Sequence, residues 1–434
     1  MQLNWHQGSA LTQKQLHSYE PKLKTIIENI QSSKSSGYQT PYASINLLHD
    51  ENYFEQILDL INHKKALNPH AIVLVGIGGS SLGARAIWQA CQPYIDFQTP
   101  LFICAETTDP DLTAQQLALV DGLLNQKKHV LIIVASKSGT TTETIAQFLL
   151  FEQILIRHHP SSYHKYIVAI TDKNSALWNY AVKEHYCLLE VPALVGGRFS
   201  VMSAIGLFPL GILGIDIATL RNSARNMLDS CLDAKLENNP AAITAAFLHL
   251  HYQQGIAISD LFIFSTYLID LGNWYRQLIA ESLGKQKNGS GAPIRVGITP
   301  TVSLGSTDLH SMAQLYLAGP IARTTLFVTL DNYRYTVTVP KSIRTESLDT
   351  QVQGKSLNQI MQAIAQGTQQ AYKEQQLPFL DIHLATTDGA AVGQYMQYAM
   401  ITVIYLAHLL EINPFDQPQV ELYKQQTRKI LASE

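Results

Sequence analysis

The sequence predicts an α/β protein of two lobes, each built on a parallel sheet, with helical segments at the N- and C-terminal ends. Three observations predict it. Short apolar, β-branched runs such as "AIVLVGI" (71–77) and "HVLIIVAS" (129–136) read as strands buried on both faces. Stretches with helical spacing alternate with them, as in a sheet covered by helices on both sides. The alternation fades across "PALVGGRFSVMSAIG" (192–206) and restarts at "DLFIFSTY" (260–267), which marks a crossing between lobes.

In chain order, residues 11–34 and 51–63 carry helix-like spacing of apolar positions. The strand at 71–77 is followed by a glycine-rich loop and a helix from about Leu82. "PLFICAE" (100–106) is a second strand, 111–124 a helix, and "HVLIIVAS" a third strand whose loop leads into a helix from about Thr142. "YIVAIT" (166–171) and "CLLEVP" (187–192) add two strands. In the second lobe "TLFVTLDN" (325–332), "YTVTVP" (335–340) and "FLDIHLA" (379–385) continue the pattern, with helices near 389–411 and 418–432. The expected division is an N-terminal helical segment 1–50, a first lobe 51–195, a second lobe 196–411, and a C-terminal helix 412–434 carrying Lys424.

With 434 residues, 46% hydrophobic and 15% charged, the chain can bury a large core. The net charge of −3 and the lack of a basic run speak against a nucleic-acid partner. Cys91, Cys104, Cys187 and Cys231 are far apart and form no CxxC, which suits a reducing cytoplasm. The N-terminus lacks the basic start and apolar core of a signal peptide. Residues 199–217 are interrupted by Ser200, Ser203, Pro209 and three glycines, and residues 399–410 are too short for a bilayer of roughly 30 Å. Both read as buried helices, so no membrane association is expected.

Two loops stand at strand ends, where ligands bind in open parallel sheets. They are "GIGGSSLG" (76–83) and "SKSGTTTET" (136–144). Glycines let backbone approach a ligand, and a helix N-terminus favours an anion. Ser136, Ser138, Thr140 and Thr141 add hydroxyls and Lys137 a charge, a plausible cradle for one phosphate group. Ordinary helix-capping turns have the same composition. Neither loop has the GxxxxGK[ST] of a Walker A motif. The first has Ser81 where a dinucleotide fingerprint needs its third glycine, and Glu106 stands where a ribose-binding acid would, so that loop alone leaves a nicotinamide cofactor open.

Candidates for proton chemistry lie further on. In "DLGNWYRQLIAESLGK" (270–285), Gln277 and Glu281 lie four apart on the flank of an apolar stripe. Partial burial there makes a carboxylate a better general base, though a solvated helix glutamate fits the spacing too. "SLGSTDLHSMAQLYLAG" (303–319) reads as a loop, a cap and a short helix with His310 in its first turn, either a site residue or a hydrogen-bonded structural histidine. Val420, Tyr423, Thr427 and Leu431 share a helix face with Lys424, which either snorkels to water or points into a site. Arg198, after two glycines, can stabilise an oxyanion or simply occupy a surface loop. HExxH, clustered Cys/His spacings and GxSxG are absent, so no metal site and no serine hydrolase is indicated.

In order, "VGIGGSSLGARA", "ASKSGTTTET", "VGGRFSVMSAIGL", "QLIAESLGK", "GSTDLHSMAQ" and "FDQPQVELYK" resemble the glucose-6-phosphate isomerase (phosphoglucose isomerase) family in its shorter bacterial form. The resemblance runs from about residue 70 to the C-terminus. It implies two flavodoxin-like sugar-isomerase lobes and reversible interconversion of glucose 6-phosphate and fructose 6-phosphate, with no cofactor and no metal. It places Ser136, Lys137, Ser138 and Thr141 on the phosphate, Gly79 and Ser80 on a further sugar-phosphate contact, and Gln277 and Gln417 on other substrate contacts. It implies Glu281 as the base between C2 and C1, Arg198 beside the enediolate, and His310 and Lys424 assisting ring opening. It also implies a cytoplasmic homodimer in which His310 reaches across to the partner's site. Leu283, Ala313, Pro418, Gln419 and Tyr423 depart from residues common in the family. Dual phosphoglucose/phosphomannose isomerase activity and a non-catalytic sugar-phosphate sensor are the competing readings; a sensor gives no reason for Glu281, His310 and Lys424 to occur together.

Overall fold

The computed structural model describes residues 1–92, 99–341 and 350–433. Twelve strands are described, numbered in chain order: β1 (Gln2–Asn4), β2 (Ala71–Val75), β3 (Leu101–Ala105), β4 (Val130–Ala135), β5 (Ile167–Thr171), β6 (Cys187–Glu190), β7 (Ile258–Ile263), β8 (Lys285–Lys287), β9 (Pro293–Val296), β10 (Thr299–Leu304), β11 (Arg323–Leu330) and β12 (Phe379–Leu384). The first sheet has the order β3-β2-β4-β5-β6, all parallel. Taken from its first strand, that is the 2-1-3-4-5 order of a flavodoxin-like sheet. The second sheet repeats it as β10-β7-β11-β12, and β1 closes its edge antiparallel to β12. β8 and β9 form a separate hairpin.

Strand alternation explains the layers. Successive side chains point to opposite faces. Ile72 and Leu74 of β2, and Leu131 and Ile133 of β4, enter one large core. So do Leu261 and Ile263 of β7 and Leu326 and Val328 of β11. That core is filled by the helices Glu20–Ser33, Ala204–Ile212, Ile217–Ser230, Pro240–Gln253 and Gly389–Leu409. The opposite faces each have their own cover. Val73, Val75, Ile132 and Val134 pack under Pro110–Asn125, Thr142–His158 and Ala176–Lys183. Phe262, Phe327 and Phe379 pack under Ala313–Ala318 and Leu357–Glu374. The two sheets therefore share one helical layer. Gly393 lets its helix approach the backbone of Leu220, where a Cβ would stand 2.5 Å from the carbonyl oxygen.

Two expectations differ from the structure. "YTVTVP" does not join either sheet: Thr338 bridges to Ser356, Val337 and Val339 share three backbone hydrogen bonds with Gly354, Lys355 and Leu357, and Tyr335 and Val337 are exposed. Alternating β-branched residues do not make a sheet strand on so short a local pairing. His310 does not open a helix; it ends a 3₁₀ turn, Thr307–His310, and the helix starts at Ala313. Residues 204–212 are buried throughout, as expected of an apolar core helix. No helix among the described residues is long and apolar enough to cross a membrane.

Candidate active site

In the first sheet the chain passes from β2 outward to β3, then returns to β4 on β2's other side. The crevice between the carboxyl ends of β2 and β4 is the topological switch point. Both candidate loops open there.

The loop after β4 is held from below and open above. Ser136 is buried; its N–H donates to the Ile170 carbonyl (3.1 Å), and its carbonyl accepts from Thr171 Oγ1 (2.6 Å). Gly139, at φ +67°, turns the chain against Leu177, whose backbone nitrogen would lie 2.6 Å from a Cβ. Ser136 Oγ bonds Thr141 Oγ1 (3.2 Å), Ser138 Oγ accepts from the Thr140 N–H (3.3 Å), and Lys137 Nζ donates to the Ala193 carbonyl (2.5 Å). The helix Thr142–His158 starts here, and Thr141 as N-cap makes no side-chain capping bond. Its first N–H groups and dipole face the loop, with a lysine and three hydroxyls around them.

The loop after β2 is thin. A Cβ on Gly79 would collide with the backbone of Gly197, so this glycine seats the loop directly on the turn carrying Arg198. Gly78, at φ +59°, lies against Gln277 Nε2. Ser80 is half-buried beside them. Glu106, the possible ribose acid, is not free: it accepts from Ser81 Oγ (2.8 Å) and pairs with Arg85. That arrangement does not fit a dinucleotide ribose.

Arg198 is the centre of the second half. It is 1% exposed. Its Nε donates to Ser282 Oγ (2.7 Å), and Nη1 to Glu281 Oε2 (3.2 Å) and Gln417 Oε1 (2.5 Å). Nη2 donates to the carbonyls of Pro414 and Asp416. A guanidinium has five N–H donors, and all five are used. Burial pulls its pKa down, and the Glu281 carboxylate opposes that. Glu281 lies on the helix Ile269–Leu283 with its side chain 29% exposed, the half-buried position its spacing predicts. Gln277, one turn earlier, donates from Nε2 to Glu281 Oε1 (2.9 Å). Gln277 Oε1 is buried and, among the described residues, without a partner. A carboxylate held between an amide and a fixed cation can remove a proton and leave the resulting oxyanion beside positive charge.

Lys285 ties this arrangement to the C-terminal loop. It donates from Nζ to the carbonyls of Glu281 (2.9 Å) and Asp416 (2.5 Å), and pairs with the Asp416 carboxylate (3.2 Å). Burial lowers its pKa. The sequence alone does not single out Ser282 or Lys285, because Arg198 lies 84 residues from the first and Asp416 lies 131 residues from the second. The "GK" after the helix was the available hint.

Among the described hydrogen bonds and ion pairs, none brings His310 or Lys424 to this centre. His310 is exposed. Lys424 pairs with Glu421 (3.0 Å) on a helix, Val420–Ser433, with no buried residue. On the face of Val420, Tyr423, Thr427 and Leu431 no residue is buried, and Tyr423 and Leu431 are exposed. No group of three or more His, Cys, Asp or Glu side chains among the described residues is placed to hold a metal ion.

Residues 63–434 match the family model described as phosphoglucose isomerase. A probable glucose-6-phosphate isomerase of Methanococcus maripaludis is 31% identical over 412 residues, 94% of this chain and 88% of the relative. A glucose-6-phosphate isomerase of Thermus thermophilus is 34% identical over 83% of each chain. Among solved structures, a Thermus thermophilus protein described only as hypothetical superposes with a TM-score of 0.88 at 30% identity, covering 99% of this chain and 100% of that one. A glucose-6-phosphate isomerase from Chlamydia trachomatis, 20% identical, shares the fold with a TM-score of 0.84 over 99% of this chain and 88% of its own.

Proposed function

The chain belongs to the phosphoglucose isomerase family, and on that premise we propose how its side chains interconvert glucose 6-phosphate and fructose 6-phosphate. The dianionic phosphate sits on Ser136, Lys137, Ser138 and Thr141 at the open end of the helix Thr142–His158, with Gly79 and Ser80 lining the sugar beyond it. Gln277 Oε1 takes a sugar hydroxyl, its one unfilled acceptor. Gln417 closes the other side. Once the ring is open, Glu281 removes the proton from C2 and returns it to C1, while Arg198 faces the enediolate oxygen. For this Glu281 gives up its bond to Arg198 Nη1, freeing one donor for the substrate oxygen.

His310 and Lys424 act on ring opening, and a homodimer explains why they stand outside the Arg198–Glu281 centre: His310 serves the partner's site. The exposed Leu422, Tyr423, Ile430 and Leu431 of the C-terminal helix support such an assembly. Four unpaired cysteines and phosphorylated substrates suit the cytoplasm.

The observation that carries the reading is the Gln277–Glu281–Arg198 bonding at the mouth of two strand-end loops suited to an anion. A coupled assay supplied with fructose 6-phosphate, run with and without a chelator and repeated with mannose 6-phosphate, tests it. Expected is glucose 6-phosphate formation unchanged by the chelator and little mannose 6-phosphate turnover. No conversion of fructose 6-phosphate by folded protein would end the reading.

A further inference from the structure

Beside the centre just described lies an ionic junction that the mechanism does not use. Arg85 stands one turn into the helix Leu82–Cys91, directly after the Gly78–Ser81 loop. Its guanidinium joins two carboxylates from opposite lobes. Nη1 pairs with Glu106 at the end of β3, and Nη2 with Asp270 Oδ1 at 3.0 Å. Glu106 also holds Ser81, which is fully buried, through its hydroxyl. Asp270 is in the first turn of the helix carrying Gln277 and Glu281. Its Oδ1 further accepts from Asn273 (2.9 Å), and its backbone N–H donates to Gln89 Oε1 (3.0 Å). The helices Leu82–Cys91 and Ile269–Leu283 pack on each other.

We propose that Arg85 is a positioning residue for the isomerisation: it sets the height and rotation of the Glu281 helix relative to the Gly78–Ser81 loop. Only a fork-shaped cation satisfies two carboxylates arriving from different directions, and lysine would hold one at a time. Asp270 and Glu281 share one rigid helix, so a shift at the first is carried to the second. Without Arg85, Glu106 and Asp270 confront each other as unpaired negative charges, and the two helices part where the substrate's reacting carbons must meet the base. Among the described hydrogen bonds and ion pairs, none joins Arg85 to the Ser136–Thr141 loop, so binding of the phosphate there should be left alone.

This inference rests on the isomerase reading, and the wild-type rate in the same assay keeps the two apart: an inactive wild type sinks the reading, whereas an active wild type leaves only Arg85 in question. The test is Arg85→Met, with Arg85→Lys and Asp270→Asn beside it, comparing kcat, KM and inhibition by inorganic phosphate. Misplacing a base by about 1 Å costs on the order of 100-fold, so Arg85→Met should lose about 10- to 100-fold in kcat. KM and the phosphate inhibition constant should stay within about threefold, because the anion's own contacts are untouched. Arg85→Lys should fall between wild type and Arg85→Met, and Asp270→Asn should lose kcat in the same way but less. A folded Arg85→Met with wild-type kcat overturns the proposal, and so does a parallel loss of phosphate inhibition. Should Arg85→Met fail to fold, Asp270→Asn decides by the same two readouts.

Discussion

The two sheets place a helix at the same topological position and treat its start in opposite ways. In the first, the helix after β4 begins at Thr142, and Thr141 gives it no side-chain cap. In the second, the corresponding helix after β11 begins at Leu357, where Ser356 and Gln359 form a complete capping box. One helix leaves its first N–H groups for something else; the other satisfies them from its own sequence. Strand order alone therefore does not make an anion site. The anion site proposed for the first lobe rests instead on the absence of a side-chain cap, together with Lys137 and the hydroxyls of Ser136, Ser138 and Thr141. The second sheet contributes a different element, the helix after β7, whose Glu281 is held between Arg198 and Gln277.

Removing the acid should have the largest effect. Glu281→Gln is expected to lose about 1,000-fold or more in kcat, within the range of general-base catalysis, while inorganic phosphate still inhibits by binding the first lobe. Mixing this variant with His310→Ala under conditions that exchange subunits should restore turnover, because one site per mixed dimer would hold both residues. Near wild-type kcat in Glu281→Gln would break the division of labour between the lobes, and mixtures without recovery would remove the shared site.

Giving the first lobe the kind of closure found in the second should be next in size. Thr141→Asp supplies an N-cap carboxylate to the helix at Thr142 and sets it against the phosphate. Repelling the phosphate and losing a charge-assisted hydrogen bond together cost about 3 kcal/mol, or about 100-fold in KM at 1.4 kcal/mol per tenfold. Thermal stability should rise at the same time, by about 1 kcal/mol. An unchanged KM would mean the phosphate sits elsewhere.

The smallest effect is expected at Asp172, just after β5. Its N–H donates to the Lys137 carbonyl (3.2 Å), and its Oδ1 is buried without a partner. Burial pushes its pKa up to about 6, with Lys137 opposing. A carboxyl raised on folding stabilises most below its unfolded pKa of about 4 and progressively less as pH rises through about 6. Asp172→Asn should therefore raise Tm more at pH 7.5 than at pH 5, and lower KM modestly at the higher pH by removing a negative charge beside the loop. Equal Tm gains at both pH values would refute the assignment.

How much of this was legible in the sequence depends on whether partners are neighbours in the chain. β2, β4 and β5 are continuous apolar runs and declare themselves. The proposed phosphate loop is one contiguous segment, and the Gln277–Glu281 pair follows from helical period. Arg198 is visible as a candidate, but its ligands Ser282, Pro414 and Asp416 come from distant segments that only the fold unites. β1 is three residues long, too short for any periodicity. "YTVTVP" fails for the converse reason: it has a strand's pattern, but among the described residues it pairs only briefly with residues 354–357 and joins neither sheet.

The helical layer shared by the two sheets has a consequence for dividing the molecule. Ile72 and Leu131 on one side, and Leu261 and Leu380 on the other, reach the same interior, and four of the five helices that fill it follow residue 195. A cut near residue 195 would leave four of those five helices with the second sheet and the inner face of the first sheet bare of most of its lining. The halves look separable on paper but are interdependent in substance, so evolution or engineering can exchange loops at the crevice far more readily than it can exchange a half.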